Sequence, residues 1–130
     1  SGAIDDIAAC QAALRRWLAR HAASALAPWL AGLAGQAGLR YTNLSIRSQR
    51  ARWGSCSIDG RISLNCKLLF LSRAWVSYVM VHELCHLLEA NHSHRFWPHV
   101  PRLEPASDVL RRQMRHAWRL VPAWSELPEG

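Results

Sequence analysis

Lysine is almost missing from this chain: Lys67 is the only one, so fifteen of the sixteen basic residues are arginine. Acidic residues number nine, which leaves a formal charge of +7 at pH 7. Arginine's planar fork suits carboxylate and phosphate groups. The balance therefore admits an anionic substrate or a nucleic-acid contact, but net charge alone speaks to solubility and weak association rather than to a site. No run approaches the roughly 20 apolar residues of a membrane span, and no segment reads as a secretory signal. The four cysteines, Cys10, Cys56, Cys66 and Cys85, show no CxxC pairing, and a chain able to bury a core does not need disulfide staples. The expectation is free thiols in a reducing cytoplasm. There is no phosphate-binding glycine loop, no internal repeat, no low-complexity tract, and no serine or cysteine in a nucleophile context.

What is present is enough for one domain. The chain has 130 residues, half of them hydrophobic, and is expected to form a single unit over residues 1–130. Ser1-Gly2 reads as the remnant of an added tag, and the proline-rich stretch from Pro122 to Gly130 as a partly loose tail. The oligomeric state is left open.

Periodicity places the elements. Ile4, Ile7, Leu14, Leu18, Ala22 and Leu26 approximate helical spacing, so a long first helix is predicted from Ile4 to about Ala27. Pro28 should kink or restart it, with Trp29, Leu30, Leu33 and Ala37 continuing the apolar face to a stop at Gly38. From Asn43 to Asn65 the period becomes two: Leu44 and Ile46, then Ile62 and Leu64, alternate with polar residues. Asp59-Gly60 is a tight-turn signal, so Trp53–Ser57 and Arg61–Asn65 should form a hairpin within a small antiparallel sheet of about three strands. Ser72 is a plausible N-cap for a helix from about Arg73 to Ala90, with Val76, Met80, Leu84, Leu87 and Leu88 on its core face. Tyr78, Val79, His82, Glu83, His86 and Glu89 fall on the opposite side. Pro105 suits the first turn of a last helix to about Leu120, with Leu110, Met114, Ala117 and Val121 inward and Arg111, Arg112, Arg115 and Arg119 outward in solvent.

The chemistry is concentrated between positions 82 and 94, which hold four of the seven histidines. His82 and His86, four apart on a helix, project from one face on successive turns and can reach one ion. A catalytic zinc needs three protein ligands, an open position for water, and a carboxylate outside the ligand set to take that water's proton. Glu83 supplies the carboxylate. For the third ligand His92 is preferred to His94, because it follows His86 by the six residues of the pattern HExxHxxGxxH. Glu89 stands where that pattern has glycine, so the reversal is expected at Asn91, a residue that tolerates the left-handed conformation. Cys85 reads as a small buried hydrophobe. Arg47, Arg50 and Arg52 could line a cleft or sit on an exposed strand face.

Four segments in this order, Ile46 to Ser57 containing RWGSCS, Ile62 to Asn65 ending in LN, Tyr78 to Leu87 containing HELCH, and Asn91 to Trp97 reading NHSHRFW, resemble the YgjP-like family of metal-dependent hydrolases, related to SprT-like and other zincin metallopeptidases. The resemblance covers most of residues 40 to 101. It implies an α+β, minimal zincin-like fold: a long N-terminal helix, a small sheet whose edge strand borders the cleft, the HExxH helix, and C-terminal helices. It also implies His82, His86 and His92 as Zn²⁺ ligands and Glu83 as base. Members often carry an additional N-terminal β-rich portion, so this chain is expected to be a fragment or a short form. Arg50-Ala51 replaces the family's more usual lysine and serine. The leading expectation is a zinc-dependent peptidase, with His94, Arg52 and Tyr78 as contacts to substrate or transition state. A second is hydrolysis of a nucleoside triphosphate such as UTP to release pyrophosphate, with Arg47, Arg50 and Arg52 at the phosphates. A third, not favoured, is a nucleic-acid-associated module with zinc in a structural role.

Overall fold

Every fourth residue along one line of the first helix is buried, and the rest of the chain packs on that stripe. A computed structural model describes residues 2–125. In it α1 runs from Gly2 to Ala37, with Leu18, Ala22, Leu26, Leu30 and Ala34 in the core. Each leucine so buried contributes roughly 1.5–3 kcal/mol relative to exposure. Ile4, Ile7 and Leu14, expected to share that face, are exposed, because the helix outruns the elements that cover it. Pro28 neither stops nor restarts the helix; it forfeits one ladder hydrogen bond while Leu26 and Leu30 on either side remain buried. Gly38, at φ +70°, ends the helix as its sequence position suggested.

Three strands follow: β1 (Asn43–Arg47), β2 (Gly54–Cys56) and β3 (Arg61–Asn65), in the spatial order β1-β3-β2. The hairpin is present, with β2 antiparallel to β3 through Ser55 opposite Ser63 and the turn made by Gly60 at φ +83°. The sheet is mixed, however, and not antiparallel throughout, because β1 runs parallel to β3 from Asn43 opposite Arg61 to Arg47 opposite Asn65. A parallel neighbour needs a crossover, and here residues 48–53 carry the chain from β1 past the end of β3 to its far side. β3 is thus central and buries Ile62 and Leu64.

Asn65 holds that crossover in place. Its side chain is buried and donates to the carbonyls of Gln49 and Arg52, both at 2.8 Å, while its oxygen accepts from the Lys67 amide at 3.0 Å. It thereby also caps the 3-10 turn Cys66–Phe70. Lys67, the only lysine, is buried as well, and its ammonium donates to the Gln49 carbonyl at 3.0 Å.

Ser72 accepts a hydrogen bond from the Trp75 amide and starts α2 (Arg73–Cys85). This helix is buried on more than the expected face: Tyr78, Val79 and Glu83 are covered together with Val76, Met80 and Leu84, since β2 packs closely on Glu83 and residues 97–111 gather round Tyr78. Leu88, read as a core residue, is 47% exposed. The helix ends five residues earlier than its periodicity implied. From His86 to Leu88 the amides bond three residues back, a tightened turn of 3-10 character. After turns through residues 89–98 come α3 (His99–Leu103) and α4 (Ser107–Gln113), and the expected last helix is split, with Met114–Leu120 forming a 3-10 segment. Leu110 and Ala117 face inward as expected. Trp124 meets Phe70 edge to face and Ser125 is buried, so the chain is docked through that point; the rest of the expected loose tail, and Ser1, lie outside the described residues. No helix among the described residues is long and apolar enough to cross a membrane, and the cysteines are free thiols.

Because Asn65 satisfies two carbonyls and one amide at once, Asn65→Ala is expected to cost roughly 2–3 kcal/mol. Urea unfolding measures it; a loss below about 1 kcal/mol would show that the crossover is held by other contacts.

Candidate metal centre

Three imidazoles converge at the end of α2. His82 comes from its last turn and His86 from the residue that caps it, and the chain reverses to return His92 to them. The Nε2 of His92 lies 3.0 Å from that of His82 and 2.9 Å from that of His86; one ring nitrogen from each of the three falls within a 4.8 Å span. The reversal does not use a left-handed Asn91: among the described residues only Gly38 and Gly60 have positive φ. The tightening of the turn after His86 does that work.

Aromatic packing holds the rings. Phe96 is fully buried and touches all three, stacked on His86 with centroids 4.4 Å apart and meeting His82 and His92 edge-on at 5.0 and 4.9 Å. Trp97 stacks on His92 at 5.5 Å. His86 Nδ1 donates to the Glu89 carbonyl at 3.1 Å, which fixes its tautomer and leaves the Nε2 lone pair pointing into the cluster, the usual second contact of a metal-binding histidine. His82 presents Nε2 to the cluster, while its Nδ1 is buried with no partner among the described groups, so this ring is oriented by packing rather than by a second hydrogen bond.

The donor set fits a small divalent cation. Zinc–nitrogen bonds of about 2.0–2.1 Å in tetrahedral geometry put nitrogens roughly 3.3 Å apart, close to the spacings here. Among the described residues the group has three members and no fourth protein ligand, which is the pattern of an open site rather than a closed structural one.

Beside the cluster is a cleft of about 380 Å³, lined among others by His82, Glu83, Tyr78, Arg52 and Gly54. Glu83 is 7% exposed. Burial pushes its carboxyl up to about 7, against the opposing pull of Arg52. Burial lowers His82 to about 4, with help from His86 and His92. Gly54 is required by packing: a Cβ there would stand 3.0 Å from Glu83 Cγ and 3.1 Å from the Ser63 carbonyl oxygen.

Of the expected contacts, Arg52 and Tyr78 line this cleft. Arg47 does not. It borders a separate cavity of about 330 Å³ between α1 and β1, since β1 is the strand farthest from α2. Arg50 and His94 are exposed and neither lines the cleft. Sequence reasoning placed Arg111 and Arg115 in solvent, and both are exposed; what it missed is that they stand with Met114 on the cleft wall, which nothing in the local pattern marks, because α4 is brought over α2 only by the fold. Trp53 stacks on Trp118 at 3.9 Å and closes the side of the cleft near Arg52.

The YgjP-like metallopeptidase domain model matches residues 2–117. The chain belongs to the YgjP-like family. No curated relative matches it. Among solved structures it is similar to the crystal structure of abylysin, a metallopeptidase zymogen from Pyrococcus abyssi, at 25% identity and a TM-score of 0.53, over 78% of this chain and 92% of that one. Both comparisons point to a metal-dependent hydrolase acting on peptides, and neither points to a nucleotide or nucleic acid as partner.

The two shifted groups oppose each other in the chelated protein. His82, lowered from 6.5 to about 4, binds protons more weakly folded than unfolded, so its contribution erodes stability as pH falls from 6.5 towards 4. Glu83, raised from 4.5 to about 7, binds them more strongly folded, so it adds stability as pH falls from 7 towards 4.5. Chelated wild-type protein should therefore show a shallow pH profile across this range, and chelated Glu83→Gln a steeper acid decline below pH 6.5. Identical profiles in thermal melts would contradict the assignment of Glu83, and a flat profile in chelated Glu83→Gln that of His82.

Proposed function

We propose that this domain is a zinc-dependent peptidase in which His82, His86 and His92 hold the metal and Glu83 is the general base. The observation that carries this reading is the convergence of three Nε2 atoms beside a buried carboxyl on the wall of an open cleft. His82, His86 and His92 would hold the zinc, which would supply a Lewis acid there, bring the pKa of a water towards neutrality and polarise a substrate carbonyl. Glu83 accepts the proton of the attacking water and hands it to the leaving amine. A carboxyl pushed up to about 7 by burial is matched to both halves of that transfer near neutral pH. Gly54 keeps β2 close enough to confine the Glu83 side chain, which limits the geometries from which the proton can be taken.

The sheet supports a peptide as substrate. β2 is an edge strand. The Trp53 carbonyl and the Ser57 amide are engaged with Asn65 and Arg61 of β3, so by the alternation of an antiparallel ladder the backbone groups of Gly54 and Cys56 face away from β3. An extended chain can add to that edge by main-chain hydrogen bonds, and Gly54 adjoins Glu83.

Glu83→Gln should retain one zinc per chain while kcat on a casein or peptide panel falls about 10²–10⁴-fold. Chelation should abolish turnover and zinc should restore it. Full activity in Glu83→Gln would remove that residue from the mechanism, and pyrophosphate release from UTP without peptide cleavage would replace the reaction. Gly54→Ala, which crowds Glu83 without touching the histidines, should lower kcat/KM on the order of tenfold at unchanged zinc affinity. Weakened zinc binding in that variant would mean that Gly54 acts on the metal and not on the base.

A further inference from the structure

The metal cleft collects positive charge from parts of the chain far apart in sequence. Arg52 enters from the crossover before β2, and Arg111 and Arg115 from α4 and the segment after it, while Glu83 is the only carboxylate on the lining. Among the described residues none of the three arginines is in an ion pair, and Arg61–Asp59 supplies the contrast of a surface pair made at 2.8 Å. Asp108 shares a small adjoining cavity with Arg111 and does not pair with it.

Arginines at a cleft mouth are ordinarily solvated, but Arg111 is held. Its guanidinium lies 3.9 Å over the face of Trp97, and Trp97 stacks in turn on His92 at an interplanar angle of 24°. Arg111 is thus tied through Trp97 to His92, which places a cation on the wall of the metal cleft. Arg115 follows four residues later on the same side. Guanidiniums converging on one concavity repel one another, and a carboxylate between them removes that repulsion and gains charge-assisted hydrogen bonds.

Resting on the peptidase reading, we infer that the cleft selects peptides carrying a carboxylate next to the scissile bond, recognised by Arg111 and Arg115 with Arg52 on the opposite wall. That carboxylate can be an Asp or Glu side chain or the free C-terminus of a short peptide.

Two peptide sets test this on the zinc-loaded protein. In the first, end-blocked quenched peptides carry Glu, Gln or Lys at each of the positions flanking the cleaved bond. In the second, neutral peptides differ only in a free or amidated C-terminus. At one position, or at the free C-terminus, the acid should exceed its neutral counterpart about tenfold or more in kcat/KM. The preference should shrink as salt rises, persist in reduced form in Arg111→Lys, and invert towards Lys peptides in Arg111→Glu. Arg115→Glu serves the same purpose if Arg111→Glu fails to fold. Binding of the same peptides to zinc-loaded Glu83→Gln, followed by calorimetry, should show the same order without turnover. Cleavage with equal kcat/KM for Glu, Gln and Lys, or an acidic preference unmoved in Arg111→Glu and Arg115→Glu, would overturn the inference and leave the peptidase intact. Absence of cleavage with selective binding of acids would do the reverse, and absence of both would end the inference as well.

Discussion

Three imidazole nitrogens gathered within 4.8 Å, with that of His92 about 3 Å from each of the other two, are a costly arrangement unless a cation lies among them, and much of the molecule can be understood as what keeps them there. Two of them sit on α2 and its C-cap, whose rigidity comes from burial on several faces. The third is returned by a tightened turn and pinned by Phe96 and Trp97. Phe96 matters most in this respect: a single fully buried ring in contact with all three histidines leaves none of them free to rotate away independently.

Burial has a second consequence on the same helix. Glu83 follows His82 in sequence and so turns towards β2 rather than into the cluster, where Gly54 lets the strand approach it closely. The same desolvation that raises the carboxyl depresses His82, so acid and base groups one residue apart are pushed towards each other's range. Paired environments of this kind are common where proton transfer is the task. β2 can hold its position because Asn65 and Lys67 fasten the crossover that leads into it. The chain's one lysine therefore serves the interior, and its surface charge is left to arginine.

The histidine spacing, the adjacent glutamate, the hairpin turn at Asp59-Gly60, the Ser72 cap and the Gly38 stop were all legible because each depends on residues within a turn or two of one another. The resemblance carried by RWGSCS, HELCH and NHSHRFW agrees with the family to which the chain belongs. Local signals failed where a partner element decides the outcome. Ile4, Ile7 and Leu14 have helical spacing yet are exposed; Tyr78 and Val79 fall on the polar side of α2 yet are buried by elements distant in sequence; Arg47 and Arg52 are close in sequence but separated by the crossover.

Sequence by itself determined which groups can bind a metal and which carboxyl stands next to them, since a helix fixes the relation of positions 82, 83 and 86 without reference to anything else. Tertiary structure decided the direction of β1, the cover over Glu83 and the presence of Arg111 and Arg115 at the cleft. Those depend on the path of the chain between elements and on which surfaces exclude water, and neither is encoded in the spacing of residues along one helix or strand.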